Sequence, residues 1–251
     1  MKHKKLYEVP SIIKTIKIIE FLHKNKEATF TEIFTDLDIP KSTAYQILST
    51  LEFNRYIKQD QSTGKYLLGF KFFELGFSVG ETIDIRKEAL PVLKELTNKT
   101  HLTAQIGILD GLEAVYLEKV ESPDGVFIRT RVGKRSFLHC TAIGKAILAW
   151  QKEEIKENLL QEIQLIKNTE TTITEVNLLR QDLQITRKRG FSFDNEENLP
   201  HIRGIGVPIW GVDGEVKVAI SISGLTTQIS FENAVDYLPF LEEASNILSI
   251  R

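Results

Sequence analysis

The sequence predicts an α+β protein of two domains, an N-terminal winged helix-turn-helix and a C-terminal antiparallel sheet with helices beside it. Residues 31–57 read as a helix, a tight turn and a second helix. Two short strand candidates separated by a turn follow directly, as in a wing. From residue 85 onward, strand candidates joined by hairpin turns alternate with segments of helical apolar spacing, which favours a mixed sheet domain.

The composition is that of a compact protein with one or two domains. The chain has 251 residues, of which 42% are hydrophobic, and a net charge of −2. Residues 1–80 contain 12 Lys and Arg against 9 Asp and Glu, whereas the remainder contains 20 against 25. The small basic excess therefore lies at the N-terminus, which suits a nucleic-acid partner there.

Cysteine content and apolar runs indicate the compartment. A single cysteine, Cys140, excludes a disulfide framework within the chain and a cysteine-rich zinc site, and suits a reducing environment. No apolar run approaches the roughly 20 residues that span a bilayer. The basic start at residues 1–5 precedes no apolar signal core. We therefore expect a cytoplasmic protein with no membrane partner.

The first 40 residues predict two helices. Pro10 and Ser11 supply a start signal, and the isoleucines and leucines from position 12 to 22 recur with helical spacing. This pattern breaks at residues 25–28. Thr29 or Thr31 can then cap the second helix.

The next helix, which begins at Lys41 after a turn at residues 38–40, is predicted to be amphipathic. Its apolar positions, which can face a core, are Ala44, Ile47, Leu48 and Leu51. Its polar positions, on the other side, are Ser42, Thr43, Tyr45, Gln46 and Ser49. Strand candidates at 56–59 and 65–68, joined by turn-forming residues 60–64, predict the wing.

Residues 69–80 contain four phenylalanines and are too apolar for a free linker. We expect this segment to be buried, with a partner subunit as one candidate cover. A long helix with an early Pro91 begins near residue 85. The predicted boundaries are therefore a winged helix-turn-helix at 1–70, a linker helix at 71–84 and a second domain at 85–251.

The second domain is predicted to combine hairpin-linked strands with helices. The strand candidates are residues 104–109, 114–120, 126–130, 191–194, 206–210 and 216–223. The segments with helical apolar spacing are residues 141–150, 153–160, 174–189 and 231–249. No solenoid repeat and no low-complexity tract interrupts this pattern.

Ordered motifs in both halves resemble those of the IclR family of bacterial transcription regulators. In the first half they are Asp38-Ile39-Pro40-Lys41-Ser42-Thr43, Leu48-Ser49-Thr50-Leu51-Glu52 and Gly64-Lys65-Tyr66-Leu67-Leu68-Gly69. In the second half they are Val132-Gly133, the run from Leu138 to Ala146, Arg189-Gly190-Phe191, Asp194-Asn195-Glu196-Glu197 and Ser221-Ile222-Ser223-Gly224. The resemblance covers nearly the whole chain. It implies a GAF-like effector domain behind the helix-turn-helix, and a homodimer or homotetramer.

The polar face of the helix that begins at Lys41 predicts a reader of the DNA major groove. Gln46 is the best candidate for a base contact, because a glutamine can make paired hydrogen bonds to adenine. The other candidates on this helix are Lys41, Ser42, Thr43 and Tyr45. Arg55, Thr63 and Lys65 are candidates for contacts with the DNA backbone. The alternative is a helix-turn-helix that mediates protein contacts.

A second group of residues predicts a pocket for a small organic acid. Ser221 and Ser223 alternate on one strand and so share a face. At the turn formed by residues 142–144, backbone N–H groups at the start of the helix that follows this turn suit an anion. The resemblance implies a pocket lined by Ala142, Ile143, Asp194, Gly204, Ser221 and Ser223, to which we add Arg203 as a cation. Many relatives carry a cysteine where Gly204 stands. The alternative is ordinary sheet packing.

Catalysis and metal binding are weak alternatives. His139 beside Cys140 invites a nucleophile interpretation, but adjacent side chains in extended structure point to opposite faces. His139, Cys140, Asp194 and His201 contain no close pair of metal ligands. Residues 204–206 lack the third glycine of a dinucleotide fingerprint. We expect no enzyme activity and no cofactor.

The sequence thus predicts a DNA-binding regulator controlled by a small organic acid. We favour a repressor of a catabolic operon for a carbon source, with a sugar acid or keto acid as the effector. An activator of the same type is one alternative. The other is a ligand-binding module whose N-terminal domain contacts proteins.

Overall fold

The computed structural model describes residues 8–81, 84–125, 128 and 130–249. The chain forms two compact units, which divide between residues 83 and 84. Within the described part of the chain, none of the helices combines the length and the apolar character that crossing a bilayer requires. The α+β class predicted from the sequence is confirmed.

The first unit contains four helices and three short strands among its described residues. The helices are α1 Pro10–Asn25, α2 Phe30–Asp36, α3 Lys41–Phe53 and α4 Lys71–Glu81. The strands are β1 Glu27–Ala28, β2 Ile57–Gln59 and β3 Tyr66–Leu68. They pair antiparallel in the order β1-β3-β2, and β2 and β3 form the predicted wing.

Local chemistry fixes the helix-turn-helix. Thr29 caps α2 in a capping box, because its hydroxyl accepts from the Glu32 N–H and the Glu32 carboxylate accepts from the Thr29 N–H. Asp38 adopts a left-handed φ of 51° in the turn, which aspartate tolerates better than most residues. The buried Ile39 then donates its N–H to the Phe34 carbonyl. The turn is therefore held from both sides.

The aromatic segment after the wing forms α4, and much of it is exposed in the single chain. Phe73 and Phe77 are 72% and 56% exposed, and their ring centroids lie 6.4 Å apart. Phe72 instead packs edge-on against Tyr56 of the same unit. Within this protomer the expected burial is therefore only partial, and burial against a partner subunit stays a prediction.

The described residues of the second unit form a six-stranded antiparallel sheet with helices on both faces. Its strands are β4 Thr103–Asp110, β5 Glu113–Val120, β6 Arg135–Phe137, β7 Ser192–Asn195, β8 Ile202–Ile209 and β9 Val218–Leu225. They are ordered β6-β5-β4-β9-β8-β7. Its helices are α5 Asp84–Thr100, α6 Ala142–Trp150, α7 Glu153–Glu162, α8 Val176–Arg189 and α9 Leu238–Leu248.

The sheet differs in detail from the sequence prediction. The short β6 carries no clear alternation and is not predicted, and β8 begins at Ile202 rather than at residue 206. Residues 126, 127 and 129 of one strand candidate lie outside the described residues. Ile128 and Thr130 from that candidate are in irregular backbone. The last helical segment divides into a 3₁₀ turn at residues 234–237 and α9, with a proline at the start of α9.

Helix α6 lies directly on one face of the sheet because glycines leave it room. A Cβ at Gly206 would lie 2.7 Å from the Ala142 carbonyl oxygen, and a Cβ at Gly107 would lie 3.0 Å from an Ile143 methyl group. The Ser192 hydroxyl donates to the Ala142 carbonyl at 2.6 Å. Helices α5 and α9 pack on the other face. These contacts hold the start of α6 against β7 and β8.

This close approach predicts that Gly206→Ala lowers the free energy of unfolding of the second unit by about 1–3 kcal/mol, the typical cost of overpacking. Urea unfolding of the full chain, followed by circular dichroism, measures the effect. Gly76→Ala in α4 is the control, because its Cβ would meet no described atom within 4 Å. Alanine should there stabilise the helix by up to about 1 kcal/mol. Equal midpoints for Gly206→Ala and the wild type would contradict the packing argument.

Candidate nucleic-acid interface and effector site

Helix α3 presents the polar face that the sequence predicts. Its apolar side chains Ala44, Ile47, Leu48 and Leu51 are buried in the core of the first unit. Lys41, Ser42, Tyr45 and Gln46 are exposed, and Thr43 is half-buried. Because Lys41 is the first residue of the helix, its charge lies beside N–H groups that also attract anions. The exposed side is therefore mainly neutral and hydrogen-bonding, with one cation at its start.

The turn of the wing is held by the side chain of Asp60. Its Oδ1 accepts from the N–H groups of Ser62 and Thr63 at 2.8 and 3.0 Å, and from the Ser62 hydroxyl. These hydrogen bonds, the Ser62 hydroxyl first among them, lower the pKa of Asp60 to about 2. Gly64 follows with a left-handed φ of 71°. The wing is thus a defined hairpin rather than a loose loop.

The three predicted contacts with the DNA backbone lie at exposed or half-exposed positions. Thr63 is exposed at the wing turn, and Arg55 is exposed just after α3. The Lys65 ammonium lies 2.6 Å from the Glu27 carboxylate, which raises the pKa of Lys65. A phosphate would have to replace Glu27 at this ammonium. Exposed ion pairs contribute little to stability, so such an exchange costs little.

In the second unit, the sheet register brings several predicted pocket residues onto one face. Asp194 on β7 is opposite Gly204 on β8, and Gly204 is opposite Ser223 on β9. Ser221 lies two residues before Ser223 and is opposite Gly206. Directly paired residues of antiparallel strands share a face, so these side chains all lie on the side that α6 covers.

The start of α6 meets this polar face. A Cβ at Gly204 would lie 3.1 Å from the Ala142 Cβ and 3.2 Å from the Ser223 hydroxyl oxygen. Thr141 caps the helix by accepting from the Gly144 N–H. The N–H groups of Ala142 and Ile143 precede the first bond within the helix and point from its N-terminus. The Ile143 side chain itself is buried in the core, so only its backbone is suited to ligand contact.

The structure does not bring Arg203 into this group. Neighbouring residues of a strand point to opposite faces, and Gly204 faces α6. The Arg203 guanidinium instead donates to the Asn195 side chain at 2.9 Å and to the Ile229 carbonyl at 3.0 Å. We therefore remove Arg203 from the predicted pocket.

The buried carboxyl group of Asp194 on β7 holds the turn that follows this strand. Its Oδ1 accepts from the Glu197 N–H at 2.8 Å and from the Asn198 N–H at 3.4 Å. Burial, and then the neighbouring Glu197 carboxylate, raise the pKa of Asp194 to about 7. This carboxyl therefore gains and loses its proton near neutral pH. In its protonated form it can donate a hydrogen bond to an anion.

A buried ion-pair cluster that was not predicted from the sequence supports this turn. Lys145 of α6 is fully buried, and its Nζ lies 2.6 Å from a Glu197 carboxylate oxygen and 3.0 Å from one of Asp182 on α8. Burial alone would lower the pKa of Lys145, but the two carboxylates more than offset it and raise the pKa. The signal available in the sequence was a single charge within the apolar segment of α6.

His139 and Cys140 do not form a nucleophile pair. The His139 Nε2 lies 3.1 Å from the Ile166 carbonyl oxygen. Cys140 is buried, and this burial raises the pKa of its thiol to about 12, which opposes formation of a thiolate. Among the described residues, no three His, Cys, Asp or Glu side chains are grouped to hold a metal ion.

A winged helix-turn-helix with an exposed polar recognition helix, followed by a sheet domain with a buried polar face, defines a DNA-binding regulator of transcription. Comparison with known proteins supports this class. Residues 11–61 match the IclR helix-turn-helix domain. Residues 77–250 match the family described as Bacterial transcriptional regulator IclR C-terminal. The chain belongs to the IclR family of bacterial transcriptional regulators.

Individual relatives are similar over nearly the full chain. The HTH-type transcriptional regulator XynR of Escherichia coli K12 is 35% identical over 242 residues, which are 96% of each protein. KdgR of Dickeya chrysanthemi is 34% identical over 96% of this chain and 79% of that protein. The crystal structure of the Thermotoga maritima IclR has a TM-score of 0.80 and 30% identity, covering 96% of this chain and 98% of that one.

A further solved structure is related in fold. It is an IclR homolog from Microbacterium hydrocarbonoxydans complexed with 4-hydroxybenzoate. Its TM-score is 0.81 at 22% identity, over 95% of this chain and 97% of that one. The named relatives are transcriptional regulators rather than enzymes.

The raised pKa of Asp194 predicts a pH dependence of stability. Between the ordinary aspartate pKa of 3.8 and about 7, the folded protein keeps a proton on Asp194 that the unfolded chain releases. This contribution therefore favours the folded state at low pH and is lost as the pH rises through 7. Asparagine does not titrate, so the free energy of unfolding of Asp194→Asn should fall less than that of the wild type as the pH rises from 5 to 8.

Urea unfolding at several pH values measures this difference. The asparagine oxygen can still accept from the Glu197 and Asn198 N–H groups, so the turn itself is retained. Asp236→Asn, at an exposed position of the same unit, controls for the loss of one negative charge. Parallel pH profiles for the wild type and Asp194→Asn would rule out the buried titration.

Proposed function

We propose that this protein is a repressor of a catabolic operon for a carbon source, and that a small organic acid bound in the second unit releases it from DNA. The proposal that the second unit binds an effector rests on one observation. The first N–H groups of α6, two serine hydroxyls and the Asp194 carboxyl lie on the sheet face that α6 covers. It acts in the cytoplasm as a homodimer or homotetramer.

For DNA recognition, Gln46 reads a base edge in the major groove, and Ser42, Thr43 and Tyr45 make the neighbouring contacts. Lys41 contacts a phosphate at the start of α3. Arg55, Thr63 and Lys65 contact the backbone beside the wing. The exposure of these side chains, together with the definition of the wing turn by Asp60, supports these roles.

For effector recognition, an acid carboxylate accepts hydrogen bonds from the Ala142 and Ile143 N–H groups, where the helix dipole also favours a negative charge. Ser221 and Ser223 bind the rest of the polar ligand, and Asp194 donates its proton to it. A ligand of this chemistry suits the fold, since a homolog of the same fold is described in complex with 4-hydroxybenzoate. Gly204 leaves more room than the cysteine of many relatives.

Subunit association follows from the charge and surface of the first unit. Each protomer offers few cations to the phosphates, so useful affinity requires two or more recognition helices on spaced half-sites. The exposed Phe70, Phe73 and Phe77 provide an apolar surface that a partner subunit would cover. Activation instead of repression remains the second candidate function, because one ligand-linked change in geometry serves either direction.

The recognition roles predict different effects for two substitutions in α3. Gln46→Ala should reduce discrimination between the operator and random DNA by about 5- to 150-fold, the equivalent of the about 1–3 kcal/mol that a bidentate base contact contributes. Lys41→Ala should weaken binding to both DNAs about equally. It should also reduce the slope of log affinity against log salt concentration by about 1, the value for one phosphate contact.

Electrophoretic mobility shifts on fragments upstream of neighbouring operons, at several salt concentrations, measure both effects. Equal losses on specific and random DNA for Gln46→Ala would refute its role as a base reader. A wild-type chain that produces no sequence-preferring shift at micromolar concentration would favour the alternative of a protein-binding N-terminal domain.

The effector roles predict that Ser221→Ala lowers affinity for an acid effector by about 2- to 12-fold, since a hydrogen bond between uncharged groups contributes about 0.5–1.5 kcal/mol. Operator binding without ligand should be unchanged, because Ser221 belongs to the second unit. A thermal-shift panel of small acids identifies a ligand, and mobility shifts with and without that ligand report the response. An unchanged response in Ser221→Ala would exclude this serine from the pocket.

A further inference from the structure

Gln105 is a buried polar residue at the centre of the sheet. It lies on β4, and only 1% of its surface is exposed. Its side-chain oxygen Oε1 is buried and has no hydrogen-bond partner among the residues that the structure describes. A buried acceptor without a donor is costly, so such an atom in a native protein calls for an explanation.

The sheet register places Gln105 inside the candidate effector site. It is directly opposite Ser221, with which it shares a sheet face. Its Nε2 donates to the Ser223 hydroxyl oxygen at 3.3 Å. A Cβ at Gly204 would lie 3.2 Å from that same oxygen. The orphaned Oε1 is thus on the polar face that α6 covers.

The hydrogen-bond roles in this group are complementary. Ser223 accepts from Gln105, so its own O–H remains able to donate, and a carboxylate oxygen is a suitable acceptor. The N–H groups of Ala142 and Ile143 also require acceptors. Gln105 Oε1, in contrast, can only accept. A ligand that satisfies the whole group therefore carries a carboxylate and, near it, a hydrogen-bond donor.

We propose that Gln105 binds the effector through Oε1 and selects acids that carry a hydroxyl next to the carboxylate over the corresponding keto acids. This inference rests on the proposed effector site. A hydroxyl donates to Oε1, whereas a ketone oxygen in the same place faces it as a second acceptor. A site built to bind a hydroxyl rejects analogues that lack it more strongly than an apolar pocket rejects a size change.

Isothermal titration calorimetry of the full chain with matched acids tests the selection. The pairs are lactate and pyruvate, 2-hydroxybutyrate and 2-oxobutyrate, 2-hydroxyglutarate and 2-oxoglutarate, and mandelate and phenylglyoxylate. They differ in size but share the same change from hydroxyl to ketone. In each pair that fits the site, the hydroxy acid should bind at least about 10-fold more tightly.

Substitution of Gln105 assigns the preference to this residue. Gln105→Leu has a similar volume and no acceptor, so the preference for the hydroxy acid should fall to less than about 3-fold, mainly by weaker binding of that acid. Thr97→Val is the matched control. It also removes a buried, unpartnered side-chain oxygen, but from α5, which packs on the other face of the sheet, and it should retain the wild-type preference.

The outcomes separate this inference from the proposed function. Keto acids that bind the wild type as tightly as hydroxy acids, or a preference that survives in Gln105→Leu, would overturn the role of Gln105 while leaving the acid site intact. Failure of every acid in the panel to bind would overturn the acid site and this inference together. If Gln105→Leu does not fold, Gln105→Asn should still reduce binding of the hydroxy acid more than that of the keto acid, and an equal reduction would refute the selection.

Discussion

The architecture of the second unit depends on the close contact between α6 and the sheet. Glycine at positions 107, 204 and 206 lets the helix approach the sheet closely. A Cβ at Gly206 would collide with the Ala142 carbonyl oxygen, and a Cβ at Gly107 or Gly204 would be in tight contact with Ile143 or Ala142. The Ser192 hydroxyl then bonds the Ala142 carbonyl at the start of the helix. Because the first N–H groups of α6 are held directly above buried polar side chains, one contact creates both the core packing and the candidate site.

Buried charge stabilises the same arrangement at a second point. The ammonium of Lys145 joins α6 to Glu197 in the turn after β7 and to Asp182 on α8. Breaking such a pair leaves an uncompensated buried charge, which typically costs about 3–5 kcal/mol. The Glu197 N–H also donates to Asp194, and the Glu197 carboxylate adds to the effect of burial in raising the pKa of Asp194. The cluster therefore contributes to both the position and the proton affinity of a candidate ligand residue.

A region could be predicted from the sequence where its interactions join residues that are close together in the chain, and could not be predicted where they join distant residues. The polar and apolar faces of α3 could be predicted because helical spacing decides which side of one helix is buried. The Thr29 cap and the Asp60 turn are equally local. The short β6 and the single-chain exposure of Phe73 could not be predicted, since the first depends on pairing with β5 and the second on which surfaces remain uncovered.

The sequence by itself determined the helix-turn-helix, the wing, the mixed sheet domain and, through ordered motifs, the family. Tertiary structure alone decided which distant residues meet. It joined Asp194, Gly204 and Ser223 across three strands, turned Arg203 to the opposite face, and brought Gln105 and Lys145 into the neighbourhood of the site. The physical reason is that periodicity describes one element, whereas strand register and the packing of α6 depend on the whole core.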